Sequence, residues 1–329
     1  MKYFLSLLAG LCFLPVWSEV SVISVTDESK HSTKSDFYHT FEYYISSGNQ
    51  TSKCQATRIS KQWFATAAHC VAQLCKKNCT LRMDLLEQPI SALAETVHSV
   101  KKPTVFVHPS VSPKKFVSND FALIKLNLHR APLTYYMRTS RGAPNIAITQ
   151  AQFENFLNQN RAAKKQYTRT LNPSFPPIVV FDNGNYKVDR KLSVISIFGG
   201  QRKILPNPNP VYYVKKLGFC YTNNFGIQQG MSGSGVMTNT GELMGIISAK
   251  VDAQFTQGSK IQQTDLFMFP VFNESIVSFM QDVMGNDFYD LERKEAFPYL
   301  VQKTRRDFTP VVELMKQIDI RMTIEKIKS

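Results

Sequence analysis

The stretch on which the fold prediction rests is Cys54-Gln-Ala-Thr-Arg-Ile-Ser-Lys-Gln-Trp63-Phe-Ala-Thr-Ala-Ala-His69-Cys70. A strand-like run around Trp63 leads into small residues, which let the backbone turn tightly beside His69. Cys54 lies fifteen residues before His69, and Cys70 follows it directly. A disulfide between the two cysteines could link the two sides of a hairpin that carries the histidine.

Two other stretches surround a polar residue with an unusual local pattern. Asn119-Asp-Phe-Ala-Leu-Ile-Lys-Leu places Asp120 at the mouth of an apolar strand, where burial would make it an orienting group. Gly230-Met-Ser-Gly-Ser-Gly-Val surrounds Ser232 with glycines, which permit unusual backbone angles and leave N–H groups pointing outward. Each stretch alone also fits a structural histidine, a turn into a strand or a loop. Their joint occurrence in the order His, Asp, Ser indicates a catalytic site.

The chemistry of acyl transfer needs these three residue types together. A serine hydroxyl such as that of Ser232 is a weak nucleophile until a base takes its proton. His69 could take this proton and later give it to the leaving amine. A buried Asp120 would fix the imidazole tautomer and stabilise its cation. The backbone N–H groups of Gly230 and Ser232 would hold the oxyanion, an effect worth about 3–4 kcal/mol per donor.

Residues 1–18 have the pattern of a secretory signal peptide. Lys2 precedes an apolar run that ends at Trp17, and Ser18 provides an acceptable cleavage position. The run is short for a spanning helix and has no basic stop-transfer flank, although an uncleaved anchor is the alternative. We therefore predict a secreted protein, extracellular or periplasmic.

Export would place the cysteines in an oxidising compartment, where they are candidates for disulfides. Once Cys12 has left with the signal peptide, five remain: Cys54, Cys70, Cys75, Cys79 and Cys220. The odd number leaves one thiol without an intramolecular partner, and the candidate is the isolated Cys220. A zinc site formed by His69 with Cys70, Cys75 and Cys79 is an alternative. Export and the catalytic role of His69 argue against it, so neither a metal nor a cofactor is expected.

Most of the chain from Val20 to Ala249 has a β pattern. Short runs rich in Val, Ile, Phe and Tyr are separated by clusters of Gly, Pro, Asn and Ser. They do not alternate with long amphipathic helices, which argues against a doubly wound α/β fold. Caps and apolar spacing predict three helices, over residues 149–161, over residues 273–284 and from Thr309 onward.

The formal net charge is +14, and the basic residues are scattered along the chain. Such a surface favours contact with anionic partners, for example membranes or acidic polymers. The favoured interpretation is a basic soluble protein without a dedicated anionic partner, and no specific nucleic-acid partner is predicted.

The blocks around His69, Asp120 and Ser232 resemble the three triad blocks of the trypsin-like, chymotrypsin-fold serine protease family. The spacing fits as well, with 51 residues from His69 to Asp120 and 112 from Asp120 to Ser232. Met231 stands where animal members have aspartate, so the Gly-x-Ser-Gly-Ser-Gly form is more similar to bacterial members. No Arg/Lys-Ile-Val-Gly-Gly activation sequence precedes His69. The resemblance covers roughly residues 35–285.

The resemblance implies an all-β fold of two antiparallel six-stranded β-barrels with a few helices and the active site between the barrels. Residues 19–285 would form the protease domain, with an insertion near 131–191, and residues 286–329 a helical C-terminal extension. By family spacing, Cys54 and Cys70 would form a disulfide, whereas a Cys75–Cys79 bridge is a local alternative to free thiols.

The implied activity is that of a secreted serine endopeptidase, which hydrolyses protein or peptide substrates through an acyl-enzyme. Two alternatives are a secreted binding or effector protein on a protease scaffold and an esterase that uses the same nucleophile. By family position, Gly226 would lie at the base of the primary substrate pocket. Its walls would be Ile227, Ser248, Ala249 and Lys250. No carboxylate lies at that base, so small, apolar or acidic side chains are expected before the cleaved bond, rather than Arg or Lys.

Overall fold

The computed structural model describes residues 39–303 with short gaps. The gaps are residues 73, 77, 85–94, 102, 112–118, 129–132, 138–145, 172–173, 182–185, 189–191, 199–200, 215–217, 258–259 and 296–299. The predicted signal peptide and the predicted helix from Thr309 lie outside the described residues.

Nine strands of the N-terminal half form the first sheet. They are β1 (Thr40–Ser47), β2 (Gln50–Arg58), β3 (Trp63–Thr66), β4 (Thr80–Asp84), β5 (Glu95–Lys101), β6 (Thr104–Val107), β7 (Ala122–Lys125), β8 (Leu133–Met137) and β9 (Ile146–Ile148). Their order is β6-β7-β3-β2-β1-β4-β5-β8-β9, and neighbouring strands run antiparallel. Alternate residues of β1 (Phe41, Tyr43 and Ile45) enter one core, because side chains along a strand alternate between its two faces.

The C-terminal half contains two further sheets. The seven-stranded sheet contains β10 (Ile178–Phe181), β12 (Leu192–Phe198), β13 (Gln201–Pro206), β16 (Gly235–Thr238), β17 (Leu243–Ile246), β20 (Phe272–Asn273) and β21 (Arg293–Glu295). The six-stranded sheet contains β11 (Tyr186–Val188), β14 (Val211–Val214), β15 (Phe219–Asn223), β18 (Ala249–Gln257), β19 (Lys260–Pro270) and β22 (Leu300–Lys303). Strand orders are β13-β12-β16-β17-β10-β20, with β21 beside β10, and β18-β19-β15-β14-β11-β22.

This arrangement confirms the predicted all-β, chymotrypsin-like double-barrel fold with few helices. Its strands are divided among three sheets rather than two sets of six. A second difference is β10, which pairs in parallel with β17, β20 and β21, whereas the other described pairings are antiparallel. Long connections rather than tight hairpins join β10 to these partners, and such connections allow parallel pairing.

The described helices are α1 (Ala68–Val71), α2 (Gln150–Gln159), α3 (Arg161–Leu171) and α4 (Glu274–Met284), with 3₁₀ turns at Leu74–Lys76 and Gly285–Asp290. The predicted helices over 149–161 and 273–284 are confirmed as α2 and α4. Thr149 forms a capping box with Gln152, and the Asn273 side chain accepts a hydrogen bond from Ile276 N–H. Helix α3, which follows α2 within the predicted insertion, was not predicted. None of the helices in the described ranges is long and apolar enough to cross a membrane.

The described part of the C-terminal extension, which ends before the predicted helix from Thr309, contains a 3₁₀ turn and two strands. After the 3₁₀ turn at Gly285–Asp290, β21 pairs with β10 and β22 pairs with β11. The strands β21 and β22 thus extend the two sheets of the C-terminal half. Their backbone groups supply hydrogen-bond partners at the edges of these sheets.

Candidate active site

His69 and Asp120 meet where the short helix α1 faces the start of β7. The backbone N–H of His69 donates to Asp120 Oδ1 over 2.9 Å, and His69 Nδ1 lies 2.7 Å from Asp120 Oδ2. Ser248 Oγ donates to the same Oδ2 over 2.6 Å. Both carboxylate oxygens are therefore engaged, and the imidazole is held in one orientation.

Asn119 holds Asp120 in place through an unusual backbone conformation. Its φ is 64°, in the left-handed region that non-glycine residues seldom adopt. Its side chain accepts from Asn273 Nδ2 over 2.9 Å and donates to Ser275 Oγ over 3.1 Å. The Ser275 hydroxyl also lies 3.1 Å from His108 Nε2. The sequence pattern indicates Asn273 only as a helix cap, and this support from the start of α4 appears only in the structure.

Ser232 completes the group from the loop that precedes β16. Its Oγ lies 3.2 Å from His69 Nε2 and 3.2 Å from the carbonyl oxygen of Ser248. The loop is sharply bent, with φ of 86° at Gly230 and 93° at Gly233. A Cβ at Gly233 would lie only 1.5 Å from the carbonyl oxygen of Gln55, so the close approach to β2 requires glycine. The structure thus brings together the three side chains predicted as catalytic.

The charges of His69 and Asp120 support each other in a buried setting. Burial lowers the pKa of His69, but the charge and hydrogen bond of Asp120 outweigh it, so this pKa is raised above 6.5. Burial raises the pKa of Asp120, but the charge of His69 and the hydrogen bonds from His69 and Ser248 keep it below the ordinary value. The carboxylate is therefore ionised at neutral pH.

The described residues contain two disulfides, and one of them lies beside His69. Cys54 and Cys70 are bridged with a Cα–Cα distance of 6.3 Å, and Cys75 and Cys79 are bridged with a distance of 5.0 Å. Cys220 is buried and unbridged, and burial raises the pKa of its thiol well above the ordinary value. The sulfur atoms of Cys54 and Cys70 lie close to His69, but they are bonded to each other and cannot serve as thiolate ligands for a metal.

The residues predicted for the substrate pocket lie in contrasting environments. Gly226 is exposed with φ of 111°. Ile227 is buried in a cluster of apolar residues of the C-terminal half, from Val179 to Val271, which we call the second core. Ser248 is buried and contacts two of the predicted catalytic side chains. Ala249 and Lys250 continue from it into β18, the first buried and the second exposed. The structure thus connects Ser248 to the candidate site directly and leaves Gly226 and Lys250 open to solvent.

One part of the chain is similar to a known protein family. Residues 29–151 match the Trypsin family model. No curated protein is significantly similar in sequence.

Among solved structures, the scabies mite inactivated protease paralogue S-I1 is 15% identical, with 78% of this chain and 97% of that chain covered and a TM-score of 0.43. Protease Anisep from Arthrobacter nicotinovorans is 12% identical, with 76% and 97% covered and a TM-score of 0.42. Catalytically active tobacco etch virus protease complexed with product is 12% identical, with 78% and 82% covered and a TM-score of 0.41. The Trypsin match includes the blocks around His69 and Asp120, so the N-terminal part of this chain is similar to the trypsin-like protease family.

Proposed function

We propose that this chain is a secreted serine endopeptidase with Ser232 as nucleophile, His69 as general base and acid, and Asp120 as the group that orients His69. The observation that carries this proposal is the line of contacts from Asp120 through His69 to Ser232, at 2.7 Å and 3.2 Å. These distances are within reach for a nucleophile, its base and the group that orients the base. The similarity of residues 29–151 to the Trypsin family supports a protease function.

Acylation would begin when the Ser232 hydroxyl turns from the Ser248 carbonyl toward His69 Nε2. The imidazole takes the proton as Ser232 Oγ bonds to the carbonyl carbon of the substrate. The N–H groups of Gly230 and Ser232, which have no acceptor among the described residues, would bind the oxyanion that forms. The imidazolium then gives the proton to the leaving amine as the carbon–nitrogen bond breaks. Water, activated by His69, would hydrolyse the acyl-enzyme in the same way.

Secretion is part of this proposal. The two disulfides, Cys54–Cys70 and Cys75–Cys79, are typical of proteins that fold in an oxidising compartment. The signal-like composition of residues 1–18 agrees with export. We expect the mature chain to begin near Glu19.

For substrate specificity, we propose cleavage after small, apolar or acidic side chains. Gly226 offers no carboxylate, so a desolvated Arg or Lys side chain at the base of the pocket would lack a counter-charge. The exposed Lys250 adds positive charge beside the start of β18 and would favour acidic side chains.

The test is cleavage of a peptide library by the purified mature chain, with Ser232→Ala as the control. We expect hydrolysis by the wild-type chain, a loss of several orders of magnitude in Ser232→Ala, and no dominance of Arg or Lys before the cut. Undiminished hydrolysis by Ser232→Ala would reject the serine mechanism, and dominant cleavage after Arg would reject the specificity. Hydrolysis of a p-nitrophenyl ester without any casein cleavage would indicate an esterase instead.

A further inference from the structure

Gln55 lies in β2 and contacts the loop that carries Ser232. Its side chain is 1% exposed. The backbone N–H of Gln55 donates to the carbonyl oxygen of Ser232 over 2.7 Å. Its side-chain amide donates to the carbonyl oxygen of Gly230 over 3.2 Å and to that of Ile197 over 2.8 Å. One residue therefore contacts both ends of the Gly230–Ser232 loop.

The amide oxygen of the Gln55 side chain also has several hydrogen-bond donors around it. Its Oε1 accepts from Ile197 N–H over 2.9 Å, from Ser196 Oγ over 3.1 Å and from Ser234 Oγ over 2.7 Å. Ile197 N–H can only donate, so Oε1 must face it and Nε2 must face the carbonyl of Gly230. The orientation of the amide, and with it the donor to the loop, is determined by this network.

The Gly230–Met231 peptide needs such a restraint. Glycine rotates at little steric cost, so local sterics at Gly230 do not fix the orientation of the peptide that follows it. Here the carbonyl of this peptide is bound by Gln55, and its N–H donates to the carbonyl oxygen of Gln228 over 3.2 Å. Both polar groups of the peptide plane are therefore restrained. Met231 is buried in the second core and has no charge with which to form an ion pair.

We propose that Gln55 is a positioning residue that holds the Gly230–Ser232 loop in the conformation that binds the oxyanion. The inference rests on the proposed function, because it assigns the support of the same active site. The hydrogen bonds of Gln55 named above reach two residues of β12 and three residues of the stretch before β16, so Gln55 couples the first sheet to both. The buried, neutral amide of Gln55 thus restrains the loop, which the uncharged Met231 cannot do through an ion pair.

The test is Gln55→Met, which keeps the length of the side chain and removes its hydrogen bonds. We expect kcat to fall by about 10- to 100-fold with KM changed less than about threefold, because the oxyanion is bound only along the reaction path. Affinity for a peptide aldehyde, which forms an oxyanion on Ser232, should fall by a similar factor. Affinity for the matching product peptide should not change. Wild-type kcat and aldehyde affinity in folded Gln55→Met would overturn the inference.

A matched control separates positioning from stability. Arg58 lies in the same strand, is fully buried, and donates to the carbonyl oxygens of Ser60, Lys61 and Thr170 rather than to the nucleophile loop. Arg58→Met should lower the melting temperature but leave kcat within about twofold in the folded protein. An equal loss of kcat in Arg58→Met would assign the Gln55 effect to general destabilisation and reject the proposal.

If Gln55→Met does not fold, Gln55→Glu tests the same contact. This variant keeps the volume and the acceptor oxygen, but its carboxylate repels the Gly230 carbonyl, so the same loss of kcat is expected. Hydrolysis that survives Ser232→Ala would reject the proposed function. Wild-type kcat of Gln55→Glu in an enzyme that depends on Ser232 would reject only the positioning role.

Discussion

The protonation state of His69 is decided by its direct contact with Asp120. A histidine whose pKa lies above 6.5 stays protonated to higher pH, and a protonated imidazole cannot accept the proton of Ser232. We expect kcat/KM to rise with pH and to reach half of its maximum above 6.5. A profile of kcat/KM from about pH 5 to about pH 9 measures this midpoint. A pH-independent kcat/KM would contradict the role of His69 as base.

Replacement of the Asp120 carboxylate isolates its contribution. Asp120→Asn removes the negative charge that favours the imidazolium, so the pKa of His69 should fall while kcat falls by about 10⁴-fold. The pKa is measured from the NMR signal of His69, and kcat from peptide hydrolysis. Asp287→Asn is a suitable control, since Asp287 accepts hydrogen bonds from Gln62 and Trp63 at the start of β3 and is not among the described partners of His69. An unchanged His69 pKa in Asp120→Asn would contradict the electrostatic explanation.

At the level of elements, the nucleophile loop is packed against the backbone of β2 without space for a side chain. Gly233→Ala would place a Cβ 1.5 Å from the carbonyl oxygen of Gln55. We expect the variant to be destabilised by about 3 kcal/mol or more, because neither backbone can move freely. Urea unfolding of the wild-type and variant proteins provides the measurement.

The control for this variant is a glycine with the same type of backbone conformation and open space. Gly48 has φ of 57° in the turn between β1 and β2, and a Cβ there would have no neighbour within 4 Å. Gly48→Ala should therefore cost only the strain of the left-handed region, about 1–2 kcal/mol. Equal destabilisation of the two variants would show that the contact with β2 is unimportant.

The Cys54–Cys70 disulfide joins β2 to the helix that carries His69, over a sequence separation of 16 residues. In the chain-entropy model, a loop of this length corresponds to about 3 kcal/mol, and the four-residue separation of Cys75 and Cys79 to about 2 kcal/mol. The double Cys54→Ser, Cys70→Ser variant should thus lose more stability than the double Cys75→Ser, Cys79→Ser variant. Urea unfolding compares them, and peptide mapping without reductant checks the pairs. Recovery of Cys54 as a free thiol in the secreted protein would contradict the first pairing.

Across the whole molecule, β2 connects the groups that must act together. Cys54 binds it to the His69 side of the site, and the adjacent Gln55 binds it to the Ser232 side. Gly235, at the start of β16, lies against Thr57 of the same strand. One strand of the first sheet therefore contacts both the His69 side and the Ser232 side of the candidate site.

This arrangement predicts that no new N-terminus is needed for activity. In animal members of the trypsin-like family that the sequence resembles, a new terminal ammonium pairs with the aspartate before the nucleophile. Here that position is Met231, which is buried among apolar side chains and cannot neutralise a buried ammonium. We expect the chain expressed from Glu19 to have the same kcat when extra residues block its N-terminus. Activity that appears only after trimming to a defined terminus would contradict this prediction.

The sequence by itself determined the parts of the protein that depend on short stretches. The blocks around His69, Asp120 and Ser232 indicated the catalytic group because each combines its functional residue with its own turn or strand signal. Helices α2 and α4 were predicted for the same reason, since the caps at Thr149 and Asn273 are local. The strand pattern also sufficed to predict the all-β class.

Only the tertiary structure decided the features that join distant parts of the chain. The role of Gln55 depends on partners 141 to 179 residues away, and Ser248 reaches Asp120 across 128 residues. The strands β21 and β22, which no local pattern predicted, pair with β10 and β11. Such hydrogen bonds form only when folding brings the strands together, and no local propensity or spacing encodes which donor will meet which acceptor.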